Sequence, residues 1–291
     1  MKIGVHGKEF TRPSSPFILR IFEILTAHKV ELYVSSKFSS LLKTSAFKKF
    51  EWQTYEPADT LKNLQLLISI GGDGTLLESV SHIGKTEVPI LGINTGRLGF
   101  LATISREETE RALEMVIQKN FTLDKRAVLK LESNQGMFGK LNFALNDFTV
   151  VKKDSSAMIT IHTFIDGEFL NSYWADGIIV ATPTGSTGYS LSCGGPLIFP
   201  RSGNFVLTPV SPHNLTVRPI IVSDTSEISF QVEGRSKKFL VSLDSRIATV
   251  DNTVKLTIKK ADFKVNLIQL DGHHYFKTLR QKLNWGLDIR N

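Results

Sequence analysis

Alternating strand and helix patterns run through the first 120 of the 291 residues. Residues 64–70 and 88–93 are nearly continuous apolar runs, which are typical of parallel strands buried on both faces. Residues 75–82 have helical spacing, and Ser105 with Glu108 forms a capping box that predicts a helix to about residue 119. The same patterns predict strands over 2–6 and 31–34 and a helix over 17–25. This alternation indicates an α/β domain with a parallel sheet.

Short strand patterns without a long helix follow residue 121. Asp166-Gly167 is a hairpin signal that joins the runs 158–165 and 168–174. Further strands are predicted over residues 128–131, 177–181, 205–210, 216–222, 227–232, 238–243, 254–258 and 263–270. Together they predict an all-β domain of packed sheets. Helical spacing returns near the end, at Phe276, Leu279 and Leu283.

These patterns divide the chain into three predicted segments. Residues 1–122 are predicted to form the α/β domain, and residues 123–270 an all-β domain that binds the ligand. Residues 271–291 are predicted to form a C-terminal segment whose helix packs back on the first domain.

Composition and charge limit the class of protein, its partners and its location. The chain is 41% hydrophobic and 22% charged, as expected for a globular protein. Its formal net charge is +7, but the basic residues are scattered, so we expect no nucleic-acid partner. No apolar stretch approaches the roughly 18 residues of a membrane helix, so no membrane partner is expected. A single cysteine, Cys193, excludes an internal disulfide and favours a cytoplasmic location.

A glycine-rich acidic loop follows the predicted strand 64–70. It reads Gly71-Gly72-Asp73-Gly74-Thr75, and in open α/β sheets ligands bind at this end of the strands. Glycine amides and a helix N-terminus favour phosphate, whereas the Asp73 carboxylate would repel it. The acid is therefore expected to hold a metal or to accept a proton from a substrate hydroxyl. The alternative is an Asp that only caps the helix.

A second glycine loop follows the strand 88–93 and reads Asn-Thr-Gly-Arg-Leu-Gly-Phe-Leu over residues 94–101. Arg97 is expected to face phosphate or to form a surface ion pair. The predicted phosphate-binding residues are Gly71, Gly72, Gly74, Thr75, Asn94 and Arg97. The chain contains no P-loop motif, no complete Gly-x-Gly-x-x-Gly fingerprint and no His-Glu-x-x-His zinc motif.

A hydroxyl-rich run occupies residues 182–196, after the predicted strand 177–181. Five Ser/Thr residues and four glycines lie between Pro183 and Pro196. Close backbone approach and hydroxyl groups suit a polar or anionic ligand. The alternative is an ordinary surface loop, since the same residue types form loops.

These motifs, taken together, resemble those of NAD kinases. Gly-Gly-Asp-Gly-Thr, the 94–101 loop, Asn146-Asp147 and Asp176-Gly177 followed by Thr-Pro-Thr-Gly-Ser-Thr-Gly-Tyr-Ser occur in that family's order and at similar separations. The resemblance implies transfer of a phosphoryl group to the 2′-hydroxyl of the adenosine ribose of NAD, which gives NADP. It implies ATP, another nucleoside triphosphate or polyphosphate as donor, and a divalent metal such as Mg²⁺. It also implies a homodimer or homotetramer.

The resemblance also implies roles for single residues. Asp73 matches the family's catalytic base, and Gly74 a position against the dinucleotide. The other positions that match NAD contacts are Asn146, Asp147, Trp174, Asp176, Thr187, Gly188, Tyr189, Ser190, Leu191, Ser192 and Arg246. Four of them depart from the usual pattern: Asp147 stands for Glu, Gly188 for Ala, Trp174 for a basic residue and Arg246 for Gln. No metal ligand is assigned.

Two other functions remain open from the residues. The Gly-Gly-Asp-Gly element is shared with lipid and sphingoid kinases, which need an apolar substrate pocket that the polar 182–192 run does not favour. A non-enzymatic dinucleotide sensor would keep the binding segment but would have no use for a positioned Asp73.

Overall fold

Two compact units make up the chain. The computed structural model describes residues 1–10, 14–43, 45–57, 61, 63–153, 157–235 and 237–285. One unit comprises residues 1–125 and 265–291, and the other comprises residues 126–264. The end of the predicted C-terminal segment, residues 286–291, lies outside the described residues.

The first unit is built on a seven-stranded sheet with the order β3-β2-β1-β4-β5-β19-β6. Its strands are β1 (Lys2–Gly7), β2 (Glu31–Ser35), β3 (Gln53–Tyr55), β4 (Leu66–Gly71), β5 (Ile90–Asn94), β6 (Thr122–Arg126) and β19 (Val265–Gln269). Pairing is parallel from β3 through β19, and the apolar runs 64–70 and 88–93 form β4 and β5 of this sheet, as predicted. The α/β class is therefore confirmed.

Helices pack on both faces of this sheet. The helices of this unit are α1 (Ser15–Ala27), α2 (Ser36–Leu41), α3 (Asp73–Ile83), α4 (Thr109–Ile117) and α6 (Tyr275–Leu283). Phe22 of α1 and Leu113 of α4 share one core with the β1, β4 and β5 side chains of one face. Leu76 of α3 reaches the other face, where it packs on Gly92.

The predicted capping box forms, although α4 begins later than expected. The Ser105 N–H donates to Glu108 Oε2 at 3.2 Å, and the Glu108 N–H donates to Ser105 Oγ at 3.4 Å. The bonds close a turn over residues 106–108, and helical geometry starts only at Thr109.

The second unit is a sandwich of two six-stranded antiparallel sheets, with the orders β11-β10-β15-β18-β7-β8 and β14-β13-β12-β9-β16-β17. Its strands are β7 (Leu129–Ser133), β8 (Phe143–Ala144), β9 (Asp147–Lys152), β10 (Ile159–Ile165), β11 (Glu168–Ala175), β12 (Gly177–Ala181), β13 (Asn204–Val210), β14 (Ile220–Ser223), β15 (Ile228–Glu233), β16 (Lys238–Leu243), β17 (Arg246–Asp251) and β18 (Leu256–Lys260). Phe148 and Phe230 stack across the core, with ring centroids 5.6 Å apart. The predicted all-β class is confirmed.

The last predicted strand has a different partner from the one expected. Residues 263–270 were assigned to the all-β domain, whereas β19 pairs in parallel with β5 in the first unit. Four of the five β19 residues, Asn266 included, are buried, and a strand buried on both faces suits the interior of a parallel sheet better than the half-exposed face of a sandwich. The C-terminal helix α6 then belongs to the first unit, as predicted. Among the described residues, no helix is long and apolar enough to cross a membrane.

Candidate active site

The glycine-aspartate loop joins β4 to α3. Gly72 is the N-cap residue of α3, and no side chain caps this helix end. Gly72 and Gly74 are exposed, and a Cβ added to either would meet no atom within 4 Å. The first turn of α3 therefore presents backbone to open space, which suits an anionic ligand. Thr75, a predicted phosphate contact, is instead buried against Gly71.

Asp73 is the first residue of α3, and its carboxylate is fixed by the neighbouring loop. Oδ2 accepts a hydrogen bond from the Phe100 N–H at 2.8 Å. Oδ1 accepts from the N–H groups of Leu101 and Ala102 at 3.0 and 2.9 Å. A carboxylate has about four acceptor positions, so one remains, on Oδ2. The side chain does not cap its own helix; it is held in one orientation with an acceptor to spare.

Gly99 makes this arrangement sterically possible. A Cβ at this position would lie 1.9 Å from Asp73 Oδ1, so any larger residue would displace the carboxylate. The second glycine loop thus supports the first, which explains why two neighbouring strand ends carry the motifs.

Asn94, at the end of β5, shapes this second loop. Its Oδ1 accepts from the Gly96 N–H at 2.7 Å, and its Nδ2 donates to the Arg97 carbonyl at 2.6 Å. The side chain is only 3% exposed, so it serves the loop and not an incoming phosphate. Arg97 itself is exposed.

In the second unit, Asn146 and Asp147 stand on a turn organised by Asp244. The Asp244 carboxylate accepts from the N–H groups of Leu145, Asn146 and Asp147 at 3.0, 2.8 and 3.3 Å. Sequence reasoning missed Asp244, because nothing in the Asn146-Asp147 pattern indicates a partner about a hundred residues later. The adjacent strand pair β9 and β16 brings it there.

Two buried carboxyl groups meet at this turn. Burial, and secondarily the charge of Asp244, raise the pKa of Asp147 to about 7. Burial also raises the pKa of Asp244, against the hydrogen bonds from the three amides. Oδ1 of Asn146 is buried with no hydrogen-bond partner, which leaves an acceptor for a ligand hydroxyl or amide.

Most hydroxyls of the 182–196 run are used to fold the run itself. Thr182 Oγ1 donates to the Leu145 carbonyl at 2.6 Å, and Ser186 Oγ donates to the Pro183 carbonyl at 2.7 Å. Ser190 Oγ and Thr208 Oγ1 are 2.8 Å apart. These buried hydroxyls satisfy backbone and side-chain groups within the unit.

A smaller part of the run is accessible. Gly185 packs on the Asn146 carbonyl, and a Cβ there would lie 2.1 Å from that oxygen. The segment that follows is a short helix, α5 (Tyr189–Ser192), in which Tyr189 and Ser192 are exposed. Thr187, Gly188 and Leu191 are half-buried, while Ser190 is fully buried.

Tyr189 links this segment to two predicted site carboxylates. Burial raises the pKa of Tyr189, and the charges of Cys193, Asp176 and Asp147 raise it further. Asp176 is paired with Lys152, with 2.6 Å between Oδ1 and Nζ. The charges of Asp147 and Asp176 thus act on Tyr189, and Asp147 also lies beside Gly188, the N-cap residue of α5, where an added Cβ would be 3.8 Å from Asp147 Oδ2.

Trp174 and Arg246 are positioned differently from those three. The Trp174 ring is 47% exposed and lies 4.2 Å from the His213 ring, centroid to centroid. The Arg246 guanidinium donates to the carbonyls of Leu141 and Phe143 and lies over the Phe143 ring. The hydrogen bonds of the Arg246 guanidinium are thus made within the second unit, and its contact with NAD stays a prediction.

Fold and site place the chain among proteins that pair an α/β unit carrying an acidic glycine loop with a β-sandwich unit. Residues 5–121 match the family model of the ATP-NAD kinase N-terminal domain, and residues 145–270 that of the C-terminal domain. The chain belongs to the ATP-NAD kinase family.

Relatives and solved structures agree with this membership. The chain is 50% identical to an NAD kinase of Cytophaga hutchinsonii and 47% identical to one of Flavobacterium psychrophilum, over the full length of both partners in each case. Its structure is similar to yeast NADH kinase complexed with NADH, with a TM-score of 0.88 at 24% identity over 100% of this chain and 89% of that one. It is also similar to an NAD kinase from Archaeoglobus fulgidus in complex with ATP, with a TM-score of 0.74 at 26% identity over 98% and 99%.

Proposed function

We propose that the protein phosphorylates the 2′-hydroxyl of the adenosine ribose of NAD, with ATP as donor and Asp73 as general base. The observation that carries the proposal is the Asp73 carboxylate, held by three backbone amides with one acceptor position left on Oδ2. ATP as donor is supported by the similar NAD kinase from Archaeoglobus fulgidus, which was solved in complex with ATP, and NAD as acceptor by the relatives named NAD kinase.

The chemistry requires a base in place before the reaction. The 2′-oxygen attacks the γ-phosphorus, the bond from that phosphorus to the β,γ-bridging oxygen breaks, and ADP leaves with the electron pair. The hydroxyl proton passes to Asp73. Fixing the acceptor in advance removes an orientation cost from the transition state, which is a main source of rate in phosphoryl transfer.

The second unit supplies the dinucleotide contacts in this proposal. Asn146 offers its unpartnered Oδ1, Asp147 titrates near neutral pH, and Tyr189 offers an exposed ring and hydroxyl. Aromatic faces and a carboxyl group that can donate when protonated suit a ribose and a base.

The described residues fit a protein-bound Mg²⁺ poorly. They contain one group of three potential metal ligands, His6, Glu78 and His82. Two imidazoles are unsuited to Mg²⁺, which prefers oxygen, and both Glu78 oxygens are paired with lysines. In kinase sites Mg²⁺ is commonly held largely by substrate phosphates and water, and we propose the same here.

A coupled assay tests the proposal. The protein is incubated with ATP, Mg²⁺ and NAD, and NADP is followed through an NADP-dependent dehydrogenase. We expect NADP to form only when all three are present. Absence of NADP together with retained NAD binding would favour the dinucleotide sensor. ADP release with a lipid or sphingoid acceptor, but not with NAD, would favour the lipid kinase.

The proposal extends to assembly and location. Ile221 on β14 and Ile247 on β17 are 49% and 68% exposed, and these strands form the two edges of one sheet. An unpaired edge strand offers free backbone groups with which another chain can pair. We propose a homodimer or homotetramer in the cytoplasm. A monomeric mass in size-exclusion chromatography with light scattering would contradict the assembly.

A further inference from the structure

A second polar cluster lies at the topological switch point of the parallel sheet. Along the chain β1 is followed by β2 on one side, and β4 is followed by β5 on the other, so the winding reverses between β1 and β4. Ligands of open α/β sheets bind outside the carboxyl ends of the strands at such a point. The glycine-aspartate loop follows β4, and Lys8 follows β1.

Two lysines converge on one carboxylate there. Lys8 Nζ lies 3.1 Å from Glu78 Oε2, and Lys37 Nζ lies 3.0 Å from Glu78 Oε1. Lys37 stands in α2, directly after β2, and Glu78 stands on α3. The lysine side chains are 45% and 64% exposed, so both ammonium groups can reach a ligand from solvent.

The groups beneath the lysines add no positive charge at neutral pH. Burial, helped by the neighbouring His82, lowers the pKa of His6 to about 3, and burial also lowers that of His82. Partial burial acts to raise the pKa of Glu78, but hydrogen bonds from Lys37 and Lys8 outweigh it and lower the pKa to about 2. Glu78 is therefore an anion shared by two cations.

We propose that Lys8 and Lys37 bind the condensed phosphate chain of the phosphoryl donor, and that Glu78 holds their ammonium groups in place while the donor is absent. The inference rests on the proposed function, because only a kinase needs a donor. Phosphoryl transfer requires positive charge around the donor phosphates, and this chain has no P-loop lysine to provide it.

The position of the cluster along α3 fits the middle of a phosphate chain. Glu78 is five positions after Asp73 on α3, which is a rise of about 7.5 Å along the helix. The γ-phosphate must lie near Asp73, where the attacking hydroxyl loses its proton. In this proposal the lysines bind the phosphates further from the transferred group.

Lysine variants test the subsite. We expect Lys8→Met and Lys37→Met each to raise the KM for ATP about tenfold, the usual scale for one charge-assisted hydrogen bond, with the KM for NAD unchanged. Lys49→Met is the matched control, because Lys49 is an exposed lysine of the same unit that pairs with Glu23 at 2.9 Å. A raised KM for NAD, or an unchanged KM for ATP in the double variant, would overturn the assignment.

Glu78→Gln separates a ligand role from a purely structural one. Removing this carboxylate releases both ammonium groups and removes repulsion of phosphate, so we expect the KM for ATP to fall at least about threefold. If the ion pairs only stabilise the fold, thermal stability would fall while the KM for ATP stayed constant, and the proposal would fail.

Inorganic tripolyphosphate distinguishes the phosphate chain from the nucleoside. Its affinity is measured by calorimetry, which does not depend on NADP formation. We expect wild-type protein to bind it and the double lysine variant to lose at least about tenfold in affinity. Equal binding by both would overturn the subsite even if NADP forms, whereas a failure of the proposed function would appear as absence of NADP with the lysine effect intact.

Discussion

Asp73 and Asp147 show how the surroundings of a carboxyl group decide what it can do. Asp73 is surrounded by backbone amides that orient it and leave one acceptor position on Oδ2. Asp147 is buried beside a second carboxyl group, and its pKa rises to about 7. One group is therefore suited to taking a proton from a bound hydroxyl, and the other to changing protonation state near physiological pH.

The raised pKa of Asp147 predicts a pH-dependent stability. Between pH 4 and pH 7 the folded state holds a proton on Asp147 that the unfolded state has lost. The contribution of Asp147 to the free energy of unfolding therefore falls as pH rises through this range, and it is constant above about pH 7. We expect the free energy of unfolding of Asp147→Asn, relative to that of wild type, to rise by about 2–3 kcal/mol from pH 5 to pH 8. Urea unfolding measures the difference, with Asp271→Asn as a control at an exposed carboxyl. A pH-independent difference would contradict the assigned pKa.

Local sequence identified the glycine loops but not several residues that surround them, and the reason is physical. Asp73 lies on the first turn of α3, and Tyr189 lies on α5, a short helix that the sequence pattern did not predict. Local sequence did not reveal Asp244, whose partners lie at the turn that leads into the neighbouring strand β9, or Lys8 and Lys37, which a shared carboxylate brings together. Long-range contacts of this kind leave no local periodicity.

At the scale of elements, the two glycine loops act as one structural unit. The loop after β5 donates the amides that hold Asp73, and Asn94 holds that loop through two hydrogen bonds. Neither loop would present Asp73 in this way without the other.

Gly99→Ala tests this dependence. The new Cβ would lie 1.9 Å from Asp73 Oδ1, so the carboxylate or the loop must shift. We expect turnover to fall about 10- to 100-fold with NAD affinity unchanged, because small displacements of a catalytic group are costly. Gly96→Ala in the same loop is the control, since a Cβ there meets no atom within 4 Å. Equal turnover in the two variants would disprove the coupling.

Elements with strong periodicity could be predicted, and those without it could not. The buried strands β4 and β5 were recognised from their apolar runs, and the Asp166-Gly167 hairpin adopts the positive φ angles that its turn requires. The short edge strand β3 and the mixed strand β17 carry too few apolar residues to stand out. β9 was not predicted, although Phe148, Thr149, Val150 and Val151 favour a strand.

At the scale of the whole molecule, chain order and spatial order differ. β19 and α6 come last in sequence but belong to the first unit, where β19 lies between β5 and β6. The first unit is therefore complete only when the end of the chain has been added.

Leu279→Ala tests the contribution of this returning segment. Leu279 of α6 is 3% exposed, whereas its neighbour on the same helix, Phe276, is 55% exposed. We expect Leu279→Ala to lower the free energy of unfolding by about 2–5 kcal/mol and Phe276→Ala to change it by less than about 0.5 kcal/mol. Guanidinium denaturation measures both. Similar losses in the two variants would show that α6 does not dock as described.

The most direct test of the central claim compares wild type with Asp73→Asn in NADP formation and in NAD binding. Asparagine keeps the size of the side chain but cannot accept a proton from the ribose hydroxyl. We expect wild type to form NADP, and Asp73→Asn to bind NAD with a similar Kd while turning over at least about 10²-fold more slowly. Near-wild-type turnover by Asp73→Asn would contradict the account.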